Sequence, residues 1–145
     1  MTPHAQITEG MNTWFAAWNI GTSAFDVEKL RPLFSTGEIH VVDNFDDKVV
    51  VLKSFDEYAR TWTLSGFRSW SIAPIGEPQI RISGDLAVVT FAFAGEGIST
   101  NGDKVSAAQH GTHVWVREGD GWRIVHEHLT TDTVENATKS LNSAA

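Results

Sequence analysis

The sequence contains no cysteine. That excludes disulfides, thiolate metal sites and cysteine nucleophiles. Basic charge is also scarce: 11 Lys and Arg stand against 18 Asp and Glu, for a net charge of −7 and a pI near 5.2. Nucleic acid and anionic membrane both need a basic face, so neither is an expected partner. Long apolar runs are missing. Runs such as Val49 to Leu52 and Leu86 to Val89 fall far short of the ~20 residues of a membrane helix. The start, Met1-Thr2-Pro3-His4-Ala5-Gln6, lacks the basic opening and apolar core of a secretory signal. A cytoplasmic location is therefore expected. There is no internal repeat, low-complexity block or linker.

What remains is ordinary globular material: 145 residues, 41% apolar and 20% charged, with six Trp and eight Phe. The length suits one domain, with a core over about 5–131 and a polar tail over 132–145 that is frayed or weakly helical. Ile7, Met11, Trp14 or Phe15, and Trp18 recur at helical spacing, with Thr2 as cap, Pro3 at the first position and Gly21 as the stop. Ser23 and Asp26 predict a second helix through Leu30, Leu33 and Phe34, with Pro32 in its last turn. Ser54 and Glu57 have capping-box spacing and predict a third helix, from Phe55 to Gly66. Between and after these lie extended segments: 38–43, 48–52, 67–73, 79–83, 86–94, 105–117 and 122–130. Glu118-Gly119-Asp120-Gly121 is a hairpin turn between the last two. Helices grouped ahead of an antiparallel sheet predict an α+β domain.

The last hairpin carries the chemistry. With strict alternation, Trp122, Ile124, His126 and His128 share one face, while Arg123, Val125, Glu127 and Leu129 share the other. Pairing Arg117 with Trp122 sets Trp115 opposite Ile124, His113 opposite His126 and Gly111 opposite His128. Three histidines then converge on one face. Such a set suits zinc or iron, but no Asp or Glu joins them, so neither metal nor any other cofactor is expected. His126 and His128 could equally be structural residues of a pocket floor. Asp43 sits in a turn-rich stretch, Asp43-Asn44-Phe45-Asp46-Asp47, where turn chemistry competes with a functional role. The large aromatics are first of all core candidates.

Val114-Trp115-Val116-Arg117 and Asp120-Gly121-Trp122-Arg123-Ile124-Val125-His126-Glu127-His128-Leu129-Thr130 resemble the terminal hairpin of SnoaL-like domains of the nuclear transport factor 2-like superfamily. The association domain of calcium/calmodulin-dependent kinase II has a similar stretch. Trp14-Phe15-Ala16-Ala17-Trp18-Asn19-Ile20-Gly21 resembles the family's first helix, and Gly84-Asp85-Leu86-Ala87-Val88-Val89 one of its strand starts. The resemblance covers roughly 8–131. It implies a cone in which a curved antiparallel sheet wraps around three helices from the N-terminal half and encloses a pocket. The family includes ketosteroid isomerases, polyketide cyclases, dehydratases and non-catalytic modules, so the fold alone assigns no function. Asp43 lies close to the isomerases' general-base aspartate. Trp14 falls where they carry an oxyanion-holding tyrosine, and His113 where they carry a protonated aspartic acid. His113 and Phe93 also fall on pocket arginines of the kinase hub.

Two functions follow as expectations. One is a cofactor-independent isomerase, cyclase or dehydratase acting next to a carbonyl of a small apolar substrate. Asp43 would be its base, and His113 and Trp14 its donors. The other is a non-catalytic ligand-binding or oligomerisation module that holds a small apolar, carbonyl or carboxylate ligand. In both, Trp18, Tyr58, Trp62, Phe91, Phe93 and Trp115 supply the pocket wall, with His126 and His128 beside them. Val114, Val116 and Val125 give the other sheet face an apolar character, which predicts a homodimer.

Overall fold

The computed structural model describes residues 1–45 and 48–133. The first helix, α1 (Pro3–Trp18), begins as its sequence predicts: Thr2 Oγ1 accepts from the Ala5 N–H at 3.1 Å, with Pro3 at the first position. It buries Ile7, Met11, Trp14, Phe15 and Ala17. The larger of these, Ile7, Met11 and Phe15, contribute ~1.5–3 kcal/mol each on burial, against about 1 kcal/mol for the cap. Packing of this face, more than the cap, holds α1 in place.

The second expected helix is shorter and of another type. It is a 3-10 helix, Val27–Leu33, capped by Asp26, whose side chain accepts from the Glu28 N–H. Ser23 is not the cap. Pro32 lies inside this helix and has no N–H to donate to a longer α-helical ladder. The third helix, α2 (Phe55–Thr61), is capped by Ser54 as expected but stops five residues before Gly66. The segment after it runs through Leu64, which has a positive φ of 54°.

The described residues form seven strands: β1 (His40–Phe45), β2 (Lys48–Leu52), β3 (Phe67–Pro74), β4 (Gln79–Ser83), β5 (Leu86–Ser99), β6 (Lys104–Glu118) and β7 (Gly121–Asp132). They follow the order β2-β1-β7-β6-β5-β3, with β4 also paired to β5. The curved sheet is not closed into a barrel. It is also not wholly antiparallel, because β1 runs parallel to β7, with Val41 opposite Glu127 and Asp43 opposite Leu129. The tail expectation falls mostly outside the described residues; its first residue, Asp132, is the last of the strand Gly121–Asp132.

The β6–β7 hairpin turns at Glu118 and Gly121 as predicted, with Gly119 at φ 60°. Its register then departs from strict alternation. Trp115 pairs with Ile124, but Val114 pairs with His126, leaving Val125 as an extra residue in β7. A bulge of this kind turns every later side chain to the other face. Beyond it Glu127 and Leu129 are buried, whereas His128 is exposed and His126 half-buried. The expected convergence of His113, His126 and His128 is therefore corrected: His113 faces Glu127. No cluster of three potential metal ligands exists among the described residues, and no described helix is long and apolar enough to cross a membrane.

Candidate functional site

Five buried side chains from five elements meet at one point inside the sheet. Glu127 on β7 is wholly buried and is the centre. Its Oε2 accepts from His113 Nε2 (β6) at 2.8 Å and from Trp14 Nε1 (α1) at 3.1 Å, and its Oε1 accepts from Tyr58 Oη (α2) at 3.1 Å. The other His113 nitrogen, Nδ1, lies 3.3 Å from Met11 Sδ. Asp43 on β1 completes the group, and its carboxyl hydrogen-bonds to Glu127. Asp43 Oδ1 is buried and accepts from no protein donor.

The two carboxyls are driven apart electrostatically. Burial pushes Asp43 up to about 11, helped by the charge of Glu127 and the hydrogen bond to it; the Leu129 N–H pulls weakly the other way. Burial also disfavours charge on Glu127. The His113 hydrogen bond and charge, with the bonds from Asp43 and Tyr58, outweigh that and hold Glu127 below the usual carboxylate range. Burial, then the charges of Glu127 and Asp43, pushes the Tyr58 phenol well above its ordinary value. Two adjoining buried carboxyls cannot both ionise cheaply. The pair therefore holds one proton near neutral pH, and that proton sits on Asp43.

In front of this group lies a cavity of about 240 Å³. Asp43, Gln109 and Leu129 form its sheet side, α1 contributes Trp14 and Trp18, and residues 61–67 form its rim, with Trp70, Ile72 and Phe93 across from them. Of the residues predicted from sequence, Asp43, Trp14, Trp18, Trp62 and Phe93 line it. Tyr58, Phe91, His113 and Trp115 do not. Phe91 packs edge-on against Trp14 and tilts over His113, and Trp115 is buried against Gly10, where an added Cβ would meet its ring at 2.6 Å. His126 and His128 are on the opposite sheet face. Neither donor predicted for a ligand points at one, since His113 and Trp14 both donate to Glu127.

Glu127 was assigned to the outer face by simple alternation and so missed. One signal was present: alternation put this acid on a face with Val125 and Leu129, an uncomfortable place for a lone carboxylate. Gln109 and the rim residues other than Trp62, at 61 and 63–66, were missed as well, and single residues in a loop carry no period.

A curved sheet around a helix, with polar groups at the closed end and a cavity in front, is the nuclear transport factor 2-like architecture. The chain belongs to the SnoaL-like domain family, whose pattern matches residues 11–131. Its structure is similar to that of a nuclear transport factor 2-like superfamily protein from Salmonella enterica, at 22% identity and TM-score 0.76, over 87% of this chain and 88% of that one. A candidate ketosteroid isomerase from Shewanella frigidimarina shares 24% identity at TM-score 0.65, over 84% and 92% of the two chains. The CaMKII hub of S. rosetta shares 15% identity at TM-score 0.62, over 89% and 93%. No functionally curated protein matches the chain. The likenesses establish the fold, which is shared by proteins described as enzymes and as hubs.

Proposed function

We propose that the cavity binds a small, mainly apolar molecule and moves a proton on it without a cofactor, with Asp43 as the group that meets the substrate. One observation carries this reading: Asp43 is the only ionisable residue lining the cavity among the described residues, and it is wired to a second carboxyl behind the wall. The pair holds one proton and has room for another. Asp43 takes a proton from the carbon next to the substrate carbonyl as its own hydrogen passes to Glu127, so the pair ends with two. The substrate is left as its enolate, and return of the proton at another carbon completes an isomerisation. His113, Tyr58 and Trp14 act through Glu127 and do not touch the substrate.

The test is exchange of the α-hydrogens of 2-tetralone for deuterium in D2O, followed by NMR. The wild-type protein should accelerate it, and Asp43→Asn should lose about 10²-fold or more of that acceleration. A second reading, a non-catalytic ligand holder, is favoured by the fact that both expected donors are engaged with Glu127. Saturable quenching of tryptophan fluorescence with no exchange would select it. We also propose a homodimer through the outer sheet face. Leu86 and Val88 are exposed there, on β5 beside Val114 and Val116 of β6. Sedimentation equilibrium at micromolar concentration should show the dimer, and a monomer would remove this part of the proposal.

A further inference from the structure

The bulge at Val125 undoes one set of histidines and makes another. It turns His126 and His128 from the interior to the outer sheet face. On that face β7 lies beside β1, and the parallel register sets His40 directly opposite His126. Val41 and Asp43 point inwards and are buried, so His40 and Val42 face outwards, and His40 is exposed. Neighbouring strands lie about 4.8 Å apart, and residues two apart on one strand share a face. Three imidazoles from two adjacent strands therefore occupy one patch of the outer sheet.

The patch has the dimensions of a metal site. With metal–nitrogen bonds of about 2.1 Å, two imidazoles on one ion have ring centroids roughly 5–6.5 Å apart. His126 and His128 stand at 6.3 Å, with their planes 84° apart. As the rings stand, the three do not converge on one point: the His40 imidazole is turned to Glu38, with Nε2 3.6 Å from the carboxylate oxygen. Its side chain is 66% exposed, and an exposed side chain changes rotamer within nanoseconds. Turning towards His126 costs it one weak, solvent-exposed ion pair. Val42 and Thr112 flank His128, and Val114 flanks His126, so no cation from these register neighbours competes for the place.

We infer that His40, His126 and His128 hold a zinc-type divalent cation on the outer face of the sheet, pinning β1 to β7. Neutral imidazole suits zinc, copper and nickel, and three histidines leave one tetrahedral position for water. Glu38 is placed to accept from the ring nitrogen of His40 that does not meet the ion, the usual support of a ligating histidine. The ion lies on the far side of the sheet from the cavity and takes no part in the chemistry there. Its effect reaches the cavity through the strands. Glu127 is the residue between His126 and His128, and Asp43 is on β1, so the ion clamps the two strands that carry both carboxyls.

Zinc alone is the probe, titrated calorimetrically into the full chain after treatment with EDTA, in a buffer that does not bind metal. One ion per chain should bind with micromolar affinity. Saturating zinc should also raise Tm, since an ion held only by the folded chain stabilises it. His40→Ala, His126→Ala and His128→Ala should each weaken binding by roughly tenfold or more, because losing even a partner behind a ligand costs about 10–100-fold. His4→Ala should change nothing. His40 and His128 are exposed, so those two variants should fold; if His126→Ala does not, they decide alone. Affinity unchanged in His40→Ala leaves a pair on one strand and overturns the three-histidine site. Weak uptake at several sites, equal in all the variants, is adventitious surface binding only and overturns it as well.

Discussion

The closed back and the open front of the interior draw on the same strands but treat their carboxyls in opposite ways. At the back, Glu127 collects donors from α1, α2 and β6 and is wholly buried. At the front, Asp43 receives no side-chain donor except what it shares with Glu127, and one oxygen is left without a partner. A buried charge survives when several donors converge on it. A buried carboxyl without them stays neutral. The back is thus a structural anchor that fixes charge, and the front is a group whose proton can be moved.

The sharpest break of this contrast is Glu127→Ala. It strips the acceptor from three buried donors and should cost about 3–5 kcal/mol, read as a fall in the urea unfolding midpoint. Tyr58→Phe removes one of those donors and should cost about 1.5–3 kcal/mol, the range for a hydrogen bond to a charged group. Gly111→Ala probes the packing between the two regions. Its Cβ would run into the Phe91 ring and come within 2.7 Å of Leu129 Cδ2, for an expected loss of about 1–3 kcal/mol; calorimetry should show a lower Tm.

Asp43→Asn tests the front by its pH dependence. The folded protein keeps the Asp43 proton up to about 11, whereas the unfolded chain gives it up near ~3.9. A raised acid contributes stability that is complete below the unfolded value and lost as pH rises through the folded one. Glu127, lowered, contributes the opposite: stability present above its unfolded value and lost on acidification. Asparagine has no proton to give up. The variant should therefore gain on the wild type as pH rises, from a small difference at pH 5 to a large one at pH 9. Equal midpoint differences across that range would show that Asp43 is ionised in the folded state.

Much of the fold was legible because it depends on local signals. Thr2 with Pro3, Ser54 with Glu57 and the Gly119-Asp120 turn are each settled within four residues of chain. The site was less legible because two non-local features define it. The bulge at Val125 reverses the face of everything after it, and nothing in the residue types there announces the extra residue. The parallel pairing of β1 with β7 brings Asp43 beside Leu129 across most of the chain, a contact that no window of sequence contains. Asp43 and its cavity position could be anticipated through the family resemblance, while Glu127 required the register.

That parallel pairing also sets a timetable. Asp43 leaves the ribosome among the first third of the residues, and its neighbours on β7 among the last. Until β7 docks, β1 has β2 alone beside it, and Glu127 does not yet exist to receive a proton. Partly made chains should carry Asp43 as an ordinary solvated carboxylate on an exposed strand. Capture of its proton then belongs to the final folding step, when the long-range contacts close. A truncation ahead of β7 would for that reason lose the site as a whole rather than weaken it by degrees.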